Sequence, residues 1–290
     1  MDNIQKIGFA GLGIMGQPMA MNLLGSHYEL SVFNRTQSKC EALKQQGAKI
    51  AGSFSELFTH CDIVIANFSD GDVLSAQIST LEGADSSFSA SGLINMSTIS
   101  TTNSDEFRTR LNALGLQYLE APVAGSKGAA EQGSLVILAS GRSQWLEAVS
   151  GVLQCLGQQI FYLGETHQAC IVKLGLNSLL AAMMVGVNEA LALVEKAGVT
   201  GEKFMEVLPL TALNSMLFQV KRAALIDNDF SPQFPLKHMC KDLGLIADLR
   251  ADNSIELPVM NSVATVYKAA MQRNPENQNR DLSVIREALS

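Results

Sequence analysis

The sequence has few of the residues that mark disulfide-bonded, metal-binding or nucleic-acid-binding proteins. It contains only five cysteines in 290 residues, an odd number, and none of them forms a CxxC pair. This spacing argues against a disulfide framework or a zinc site, so we expect small core residues and no metal. Lys and Arg number 21 against 28 Asp and Glu, and no basic cluster is present. Nucleic acid is therefore not an expected partner.

Long apolar runs and targeting signals are also lacking. The most apolar stretch, residues 174–187, has 14 residues and includes Asn177 and Ser178, whereas a membrane span needs about 20. It predicts a buried helix and no membrane partner. The opening residues, MDNIQKIGFAG, contain no basic segment followed by an apolar stretch and a cleavage site, so we expect a cytoplasmic protein.

A regular alternation of short apolar runs with helix-like stretches occupies the first half of the chain. Such alternation is typical of a parallel sheet with crossover helices, whose strands are buried on both faces. It predicts a doubly wound α/β domain over residues 1–165. The apolar runs lie at 7–11, 30–33, 62–68, 92–97, 116–122 and 134–140.

After Gly164 a helical pattern replaces the strand pattern. One stretch from Thr166 to Lys196 is apolar around most of its circumference, and Gly198 follows it as the expected C-cap. A helix that is apolar on several sides must be covered on several sides. We therefore predict that it joins the α/β domain to an all-helical second domain over residues 166–290, and that it contacts another subunit in a homodimer or homotetramer. Further helices are predicted near 201–208, 213–226, 236–252, 258–272 and 280–289.

A glycine-rich turn follows the first apolar run. The segment GLGIMG places Gly11, Gly13 and Gly16 in GxGxxG spacing between a strand and a helix. In that context the glycines allow a tight turn, close approach of a pyrophosphate and close helix–sheet packing. The backbone amides of Ile14, Met15 and Gly16 at the helix start are expected to point at phosphate. The first domain is therefore predicted to be a dinucleotide-binding (Rossmann) domain.

The residues after the second apolar run bear on which nucleotide binds. Proteins that bind NAD usually place Asp or Glu about 20 residues beyond the glycine motif, but this chain has Asn34, Arg35 and Thr36. A guanidinium attracts a 2′-phosphate that a carboxylate would repel, so NADP (NADPH) is predicted over NAD. The alternative is that Asn34 and Thr36 cap the next helix and Arg35 is solvated, and the two roles are compatible.

Taken in order, several segments resemble those of the β-hydroxyacid dehydrogenase family, and most strongly its glyoxylate/succinic semialdehyde reductase branch. The resemblance covers nearly the whole chain. It implies an NADPH-dependent reductase that converts a small aldehyde or oxo acid into a hydroxy acid. The segments are GLGIMG (11–16), NRT (34–36), INMST (94–98), EAPVAGSKGAAEQGSL (120–135), KLGLN (173–177) and FPLKHMCKDLGL (234–245).

The resemblance makes Lys173 the catalytic acid, with Asn177 beside it. Residues four apart lie on one helical face, so both groups are able to reach one substrate. Lysine's ordinary pKa of about 10.4 keeps the acid form populated at neutral pH, as reduction requires. From the residues alone, the alternative is a lysine at the solvated edge of the helix and an asparagine bonded to nearby backbone.

The resemblance implies further contacts with the cofactor and the substrate. Asp242 is expected to support the site and Phe234 to close it. The other residues implied for the cofactor are Phe68, Ser69, Thr98 and Lys241. The residues implied for the substrate are Thr98, Ala124, Gly125, Ser126, Lys173, Phe234 and Asp242.

Three positions depart from the family pattern. Ala124 stands where a serine that binds the substrate carboxylate is expected, and His167 and Ala169 replace two glycines before Lys173. The missing serine leaves open a weaker affinity, a replacement by Ser126, or a substrate other than a simple carboxylic acid. Other readings are a hydroxyisobutyrate-type dehydrogenase that uses NAD(P), or a non-catalytic NADP-binding module on the same fold.

Overall fold

The computed structural model describes residues 4–84 and 87–289. The chain divides into two compact units, with the division between Lys173 and Leu174. The sequence predicts a boundary after residue 165. The contacts place the division later because the next helix, which begins at Gln168, has its first turn hydrogen-bonded to strands of the first unit.

The first unit alternates strands with helices along the chain. Its first half contains β1 (Lys6–Ala10), α1 (Gly16–Leu24), β2 (Glu29–Phe33), a 3-10 turn (Gln37–Cys40), α2 (Glu41–Lys44), β3 (Lys49–Ile50), α3 (Phe54–His60), β4 (Ile63–Ala66) and α4 (Gly71–Glu82). Its second half contains β5 (Gly92–Asn95), α5 (Thr101–Ala113), β6 (Gln117–Glu120), β7 (Val123–Ala124), α6 (Lys127–Glu131), β8 (Leu135–Gly141), α7 (Ser143–Gln154) and β9 (Gly157–Gly164).

The strands form one sheet in the order β3-β2-β1-β4-β5-β6-β8-β7, with β9 paired to β8. Neighbouring strands from β3 to β6 are parallel, and the strand order reverses at β1. This confirms the predicted doubly wound domain, in which ligands bind at the carboxyl ends of the strands near the reversal.

Two features of the sheet differ from the prediction. First, β8 runs antiparallel to β6, so the sheet is not parallel throughout. Second, β3, β7 and β9 do not coincide with the predicted apolar runs: the first two are only two residues long, and β9 exposes large side chains such as Phe161 and Tyr162. A strand covered on one side lacks the continuous apolar run by which buried parallel strands are recognised.

Alternate side chains of the strands enter two apolar clusters on opposite faces of the sheet. Ile63 and Ile65 of β4 join the cluster that contains Met19 of α1 and Trp145 of α7. Val64 and Ala66 join the cluster formed with the side chains of α3, α4 and α5, such as Leu57, Ile78 and Phe107. Successive residues of a strand point to opposite faces, so burial of both faces requires an apolar residue at every position.

The second unit is helical. Its elements are α8 (Gln168–Lys196, which begins in the first unit), α9 (Gly201–Val207), a 3-10 turn (Leu208–Leu210), α10 (Met216–Val220), α11 (Arg222–Ile226), α12 (Leu236–Asp252), α13 (Pro258–Arg273), 3-10 turns at Pro275–Asn279 and Leu282–Ile285, and α14 (Arg286–Leu289). The helix predicted over 213–226 is broken at Lys221, and the segment 280–289 begins with a 3-10 turn.

The long helix α8 ends at the predicted glycine. Gly198 has φ +91°, its N–H donates to Glu195 O at 3.1 Å, and the N–H of Val199 donates to Val194 O at 2.9 Å. These paired bonds form a Schellman motif, which favours glycine at the left-handed position. Within α8, one series of buried residues follows alternating spacings of four and three: Cys170, Leu174, Asn177, Ala181, Met184, Asn188 and Leu191. Leu179 and Leu193, by contrast, are exposed.

By length and composition alone, α8 is apolar enough to cross a membrane, with a mean hydropathy of 1.8 in its most apolar 18-residue window. Core helices of soluble proteins meet the same criterion. Of that window, 39% is buried within the protein.

A buried ion pair organises the second unit. Lys221 Nζ lies 2.7 Å from Asp281 Oδ2, and both side chains are almost fully buried. The same carboxylate accepts the backbone N–H groups of Gln233 and Phe234, and its other oxygen accepts from Ser283. Burial by itself would raise the pKa of Asp281, but the Lys221 ammonium and these hydrogen bonds hold it below its usual value.

Replacing Asp281 by Ala is expected to lower the free energy of unfolding of the second unit by about 3–5 kcal/mol, because the Lys221 ammonium is left buried without its counter-charge. The lowered pKa means that this stabilisation is present above pH ~3.9 and is lost as the pH falls through the folded-state value. The difference in Tm between wild type and variant should therefore shrink below pH ~4.

Circular dichroism measures the transition, and fluorescence of Trp145, the single tryptophan, follows the first unit separately. Glu29→Ala is the control because it removes an ion pair with Lys49 that is largely exposed, which should cost no more than about 1 kcal/mol. Equal effects of the two substitutions would contradict the role given to Asp281.

Candidate active site

The glycine turn between β1 and α1 has the backbone geometry that only glycine permits. Gly11 has φ +96°, and a Cβ atom on it would lie 2.3 Å from the carbonyl oxygen of Asn67. A Cβ atom on Gly16 would lie 1.9 Å from the carbonyl oxygen of Gly11. The turn therefore folds back on itself and packs against the end of β4.

The middle glycine faces open space instead. Apart from Gly13 itself and its two neighbours in the chain, no atom of the described residues lies within 4 Å of the Cβ position on Gly13, and the residue is exposed. A side chain there would fill the space beside the first turn of α1, where helix amides have no acceptor within the helix. These residues fit the pyrophosphate of a dinucleotide, which needs close backbone approach and amide donors.

Asn34 joins the glycine turn to the end of β2. Its Oδ1 accepts the N–H of Leu12 at 2.9 Å, and its Nδ2 donates to Thr36 O at 2.9 Å. Thr36 stands at the start of the following 3-10 turn without capping it through its side chain. Arg35 and Thr36 are exposed. Asn34 thus fixes the backbone of this loop and leaves the guanidinium of Arg35 in solvent, accessible to a ligand.

The ends of β4 and β5 are tied together beside the glycine turn. The N–H of Phe68 donates to Ser97 Oγ at 2.8 Å, and the N–H of Ser97 donates to Asn95 Oδ1 at 3.0 Å. The ring of Phe68 reaches to 3.2 Å from the Cβ position of Gly11. Phe68 and Thr98 are half-buried, whereas Ser69 is exposed. The structure therefore brings the predicted residues of these two loops to the same edge of the sheet as the glycine turn.

The predicted substrate loop lies between β7 and α6. Ala124 pairs with Val136 of β8, and Gly125 has φ +143° with its Cβ position 2.8 Å from Leu135 Cδ2. A side chain at Gly125 would therefore clash. Ser126 is the N-cap of α6, where its Oγ accepts the N–H of Ala129. The hydroxyl proton of Ser126 is not used in that bond, so it is able to donate to a ligand.

Lys173 lies one turn beyond the point at which the sheet anchors α8. The N–H of Ala169 donates to Ser140 Oγ at 2.9 Å, and the N–H of Cys170 donates to Glu120 Oε2 at 3.1 Å. Lys173 itself is half-buried. His167 turns toward α5, with Nδ1 3.2 Å from Asp105 Oδ1.

Asn177, four residues further along α8, is almost fully buried and is held by Asp242 of α12. Its Nδ2 donates to Asp242 Oδ2 at 2.6 Å. Because a carboxylate only accepts, this bond fixes the orientation of the amide. Lys241 Nζ lies 2.7 Å from Asp242 Oδ1, so the carboxylate also has a counter-charge. The structure brings together three residues that the sequence predicted separately.

Phe234 lies in the loop before α12 and is fixed by its backbone. Its N–H donates to Asp281 Oδ2 at 3.0 Å, and its carbonyl accepts the N–H of Leu282 at 2.8 Å. The half-buried ring belongs to the apolar cluster of the second unit.

Sequence reasoning missed the residues that support these loops. Glu120 falls within the segment EAPVAGS, but its burial and its bond to α8 have no sequence signal beyond a carboxylate at the end of an apolar strand. The sequence predicts a cofactor contact for Asn34, and the structure shows that its side chain also holds the glycine turn. Among residues 4–84 and 87–289, no cluster of His, Cys, Asp and Glu is arranged to hold a metal ion.

Two family models match the chain. Residues 6–164 match the model described as the NAD binding domain of 6-phosphogluconate dehydrogenase. Residues 168–287 match the model described as NAD-binding of NADP-dependent 3-hydroxyisobutyrate dehydrogenase.

Known proteins are similar over most of this chain. Glyoxylate/succinic semialdehyde reductase 1 of Arabidopsis thaliana is 34% identical over 266 residues, which cover 91% of this chain and 92% of the relative. The cytokine-like nuclear factor N-PAC of Anopheles gambiae is 33% identical over 91% of this chain but only 47% of that protein. The structure of 3-hydroxyisobutyrate dehydrogenase from Mycobacterium tuberculosis with L-serine has a TM-score of 0.85 at 25% identity and covers 99% of both chains. This chain therefore belongs to the β-hydroxyacid dehydrogenase family of NAD(P)-dependent oxidoreductases acting on CH–OH groups.

Proposed function

We propose that this chain is an NADPH-dependent reductase for a small aldehyde or oxo acid of the glyoxylate or succinic semialdehyde type, with Lys173 as the general acid. The supporting observation is a pair of polar residues, Lys173 and Asn177, on one face of a predominantly apolar helix. Lys173 follows a turn that two side chains of the sheet hold in place, and Asn177 follows on the same face with its amide fixed by Asp242. The similarity to a glyoxylate/succinic semialdehyde reductase supports the substrate class.

In this proposal NADPH, when bound, supplies the hydride that reduces the carbonyl carbon. The electron pair of the carbonyl π bond moves to the oxygen, and the Lys173 ammonium donates a proton to it. A hydroxyl group forms and Lys173 becomes neutral until solvent returns the proton. Asn177 donates through Nδ2 to Asp242, and in this scheme its Oδ1 is the atom that accepts from an ammonium or hydroxyl donor.

The substrate loop bears on specificity. Gly125 and Ser126 supply a backbone amide and a hydroxyl for a carboxylate, while Ala124 adds no donor. The loop therefore offers one hydroxyl fewer than the family pattern implies. This favours an oxo acid or aldehyde whose end opposite the reacting carbonyl needs one hydrogen-bond donor fewer than the family pattern supplies.

Replacing Lys173 by Ala is expected to lower kcat by roughly 10²–10⁴-fold and to leave the Kd for NADPH unchanged, because only proton transfer is removed. Steady-state assays with glyoxylate, succinic semialdehyde and methylglyoxal, and with hydroxyisobutyrate in the oxidative direction, measure kcat and identify the substrate. Lys196→Ala, at the exposed end of the same helix, is the control.

Full turnover in the Lys173→Ala protein would remove this lysine from the mechanism. NADPH binding without turnover on any of these compounds would favour a non-catalytic module.

Replacing Arg35 by Asp is expected to lower kcat/KM with NADPH at least about tenfold and to raise it with NADH, since a carboxylate repels the 2′-phosphate and accepts from a ribose diol. Lys44→Asp makes the same charge change at the exposed end of α2 and should alter neither value. The measurement is the ratio of kcat/KM for the two cofactors. An unchanged ratio in the Arg35 variant would reject the phosphate contact.

Replacing Gly13 by Ala is expected to raise the Kd for NADPH at least about tenfold, because the added methyl group enters the open space assigned to the pyrophosphate. Gly25→Ala, at the opposite end of α1, is the control since its nearest contact there would be an ordinary 3.5 Å. Isothermal titration gives Kd, and thermal melts should show the same Tm for both variants. Equal affinities would contradict the placement of the cofactor at Gly13.

A further inference from the structure

A chain of buried polar groups in the first unit has no part in the proton transfer proposed above. Its end point is Glu120 at the end of β6, a carboxylate that is only 2% exposed. Ser104 Oγ of α5 donates to Glu120 Oε1, and the N–H of Cys170 donates to Glu120 Oε2 at 3.1 Å. One carboxylate thus joins β6, α5 and the first turn of α8.

The chain continues from Ser104 to the ligand-binding edge of the sheet. Tyr118 OH lies 3.4 Å from Ser104 Oγ, and Asn95 Nδ2 donates to Tyr118 OH at 3.1 Å. Asn95 Oδ1 accepts the N–H of Ser97, whose Oγ accepts the N–H of Phe68. Burial raises the pKa of Tyr118 well above its usual value, so its hydroxyl stays protonated. The series therefore connects Glu120 to the loops that follow β4 and β5.

Burial of Glu120 is costly for the fold. Desolvation raises its pKa, and hydrogen bonds from Ser104 and Cys170 oppose that shift. Its two oxygens are occupied by a hydroxyl and a backbone amide, and a buried carboxylate held by neutral donors is harder to accommodate than an apolar side chain of similar size. What Glu120 provides in return is the connection between β6, α5 and α8.

The bond to Cys170 bears directly on the position of Lys173. Cys170 and Lys173 are three residues apart, which places them on neighbouring turns of the same helix face. The side chain of Cys170 is buried in the cluster that contains Phe107 and Tyr118. The amide and the side chain of Cys170 therefore fix both the axial position and the rotation of α8 just before the lysine.

We propose that Glu120 is a positioning residue for Lys173: it holds the first turn of α8 and links that turn, through Ser104, Tyr118 and Asn95, to the loops at Ser97 and Phe68. The proposal rests on the proposed function of Lys173. Glu120 does not touch the reacting atoms in this scheme. It acts by fixing the position of the Lys173 ammonium relative to the carboxyl ends of the strands, where the cofactor-binding loops lie.

The test compares Glu120→Ala with Glu120→Gln in the full-length enzyme. In Glu120→Ala, kcat is expected to fall about 10–10²-fold, the loss that a displacement of about 1 Å produces, while KM for NADPH stays within about twofold. Glutamine retains an acceptor for the Cys170 amide, and its Nε2 is able to donate to Ser104 Oγ while the Ser104 hydroxyl donates to Tyr118 OH. It should therefore restore most of kcat. Hydrogen exchange of the amides of residues 169–173 should accelerate in the alanine variant and stay slow in the glutamine variant.

Asp62→Ala is the matched control. The Asp62 carboxylate accepts the N–H groups of Gln5 and Lys6 at 2.8 Å, at the amino-terminal ends of β1 and β4 in the same sheet. It should change neither kcat nor exchange at residues 169–173. If it lowered kcat as much as Glu120→Ala does, the effect would be general loss of sheet stability and the proposal would be overturned.

A double variant separates this proposal from the role of Lys173. In a Lys173→Ala background, Glu120→Ala should cause no further loss of the residual turnover, because Glu120 acts only through the lysine. A further loss by the same factor would show an independent action and overturn the proposal. If Lys173→Ala lowers kcat but Glu120→Ala leaves kcat and exchange unchanged, only the role of Glu120 fails. If Lys173→Ala keeps full turnover, the proposed function fails and the positioning role fails with it.

Discussion

Two backbone amides at the start of α8 have no acceptor within the helix, and the sheet supplies both acceptors. Ser140 of β8 binds the amide of Ala169, and Glu120 of β6 binds the amide of Cys170. A helix end buried without such partners would leave polar groups unsatisfied. The position of Lys173 depends on this attachment, because the lysine follows within one turn. The antiparallel pairing of β8 with β6 places the two acceptors side by side, since Glu120 is opposite Ser140 in the register.

The same edge of the sheet gathers the loops that bind ligands in this fold. Burial of both sheet faces commits the strand side chains to packing, which leaves the loops after β1, β2, β4 and β5 for chemistry. Polar side chains with fixed partners stabilise these loops: Asn34 at the glycine turn and Ser97 at Phe68. Within the second unit, Asp281 holds the backbone at Phe234 in the same way. The predicted ligand contacts, such as Arg35 and Gly13, are left exposed. The residues that fix the loops are thus different from the neighbouring residues that are predicted to contact a ligand.

Sequence reasoning predicted the features that follow from periodicity and local backbone chemistry. The strands β1, β2, β4, β5, β6 and β8 follow from continuous apolar runs, and the end of α8 follows from Gly198. It did not predict β9, whose side chains are largely exposed, or the direction of β8, which depends on tertiary pairing. Glu120 was missed because its partners lie 16 and 50 residues away in the chain. Interactions of that kind leave no local pattern, whereas turns and caps do.

The bonds of Asn34 have a consequence for how coenzyme preference changes during evolution. In the proposed function, the residue that holds the glycine turn and the residue that meets the adenosine side of the cofactor are adjacent but separate. Asn34 binds Leu12 and Thr36, whereas Arg35 is exposed. A lineage is therefore able to exchange the charge at position 35 without loosening the turn. In the proposed function, a change of preference between the two pyridine nucleotides needs a substitution only at position 35, while Asn34 is constrained by the backbone that it holds.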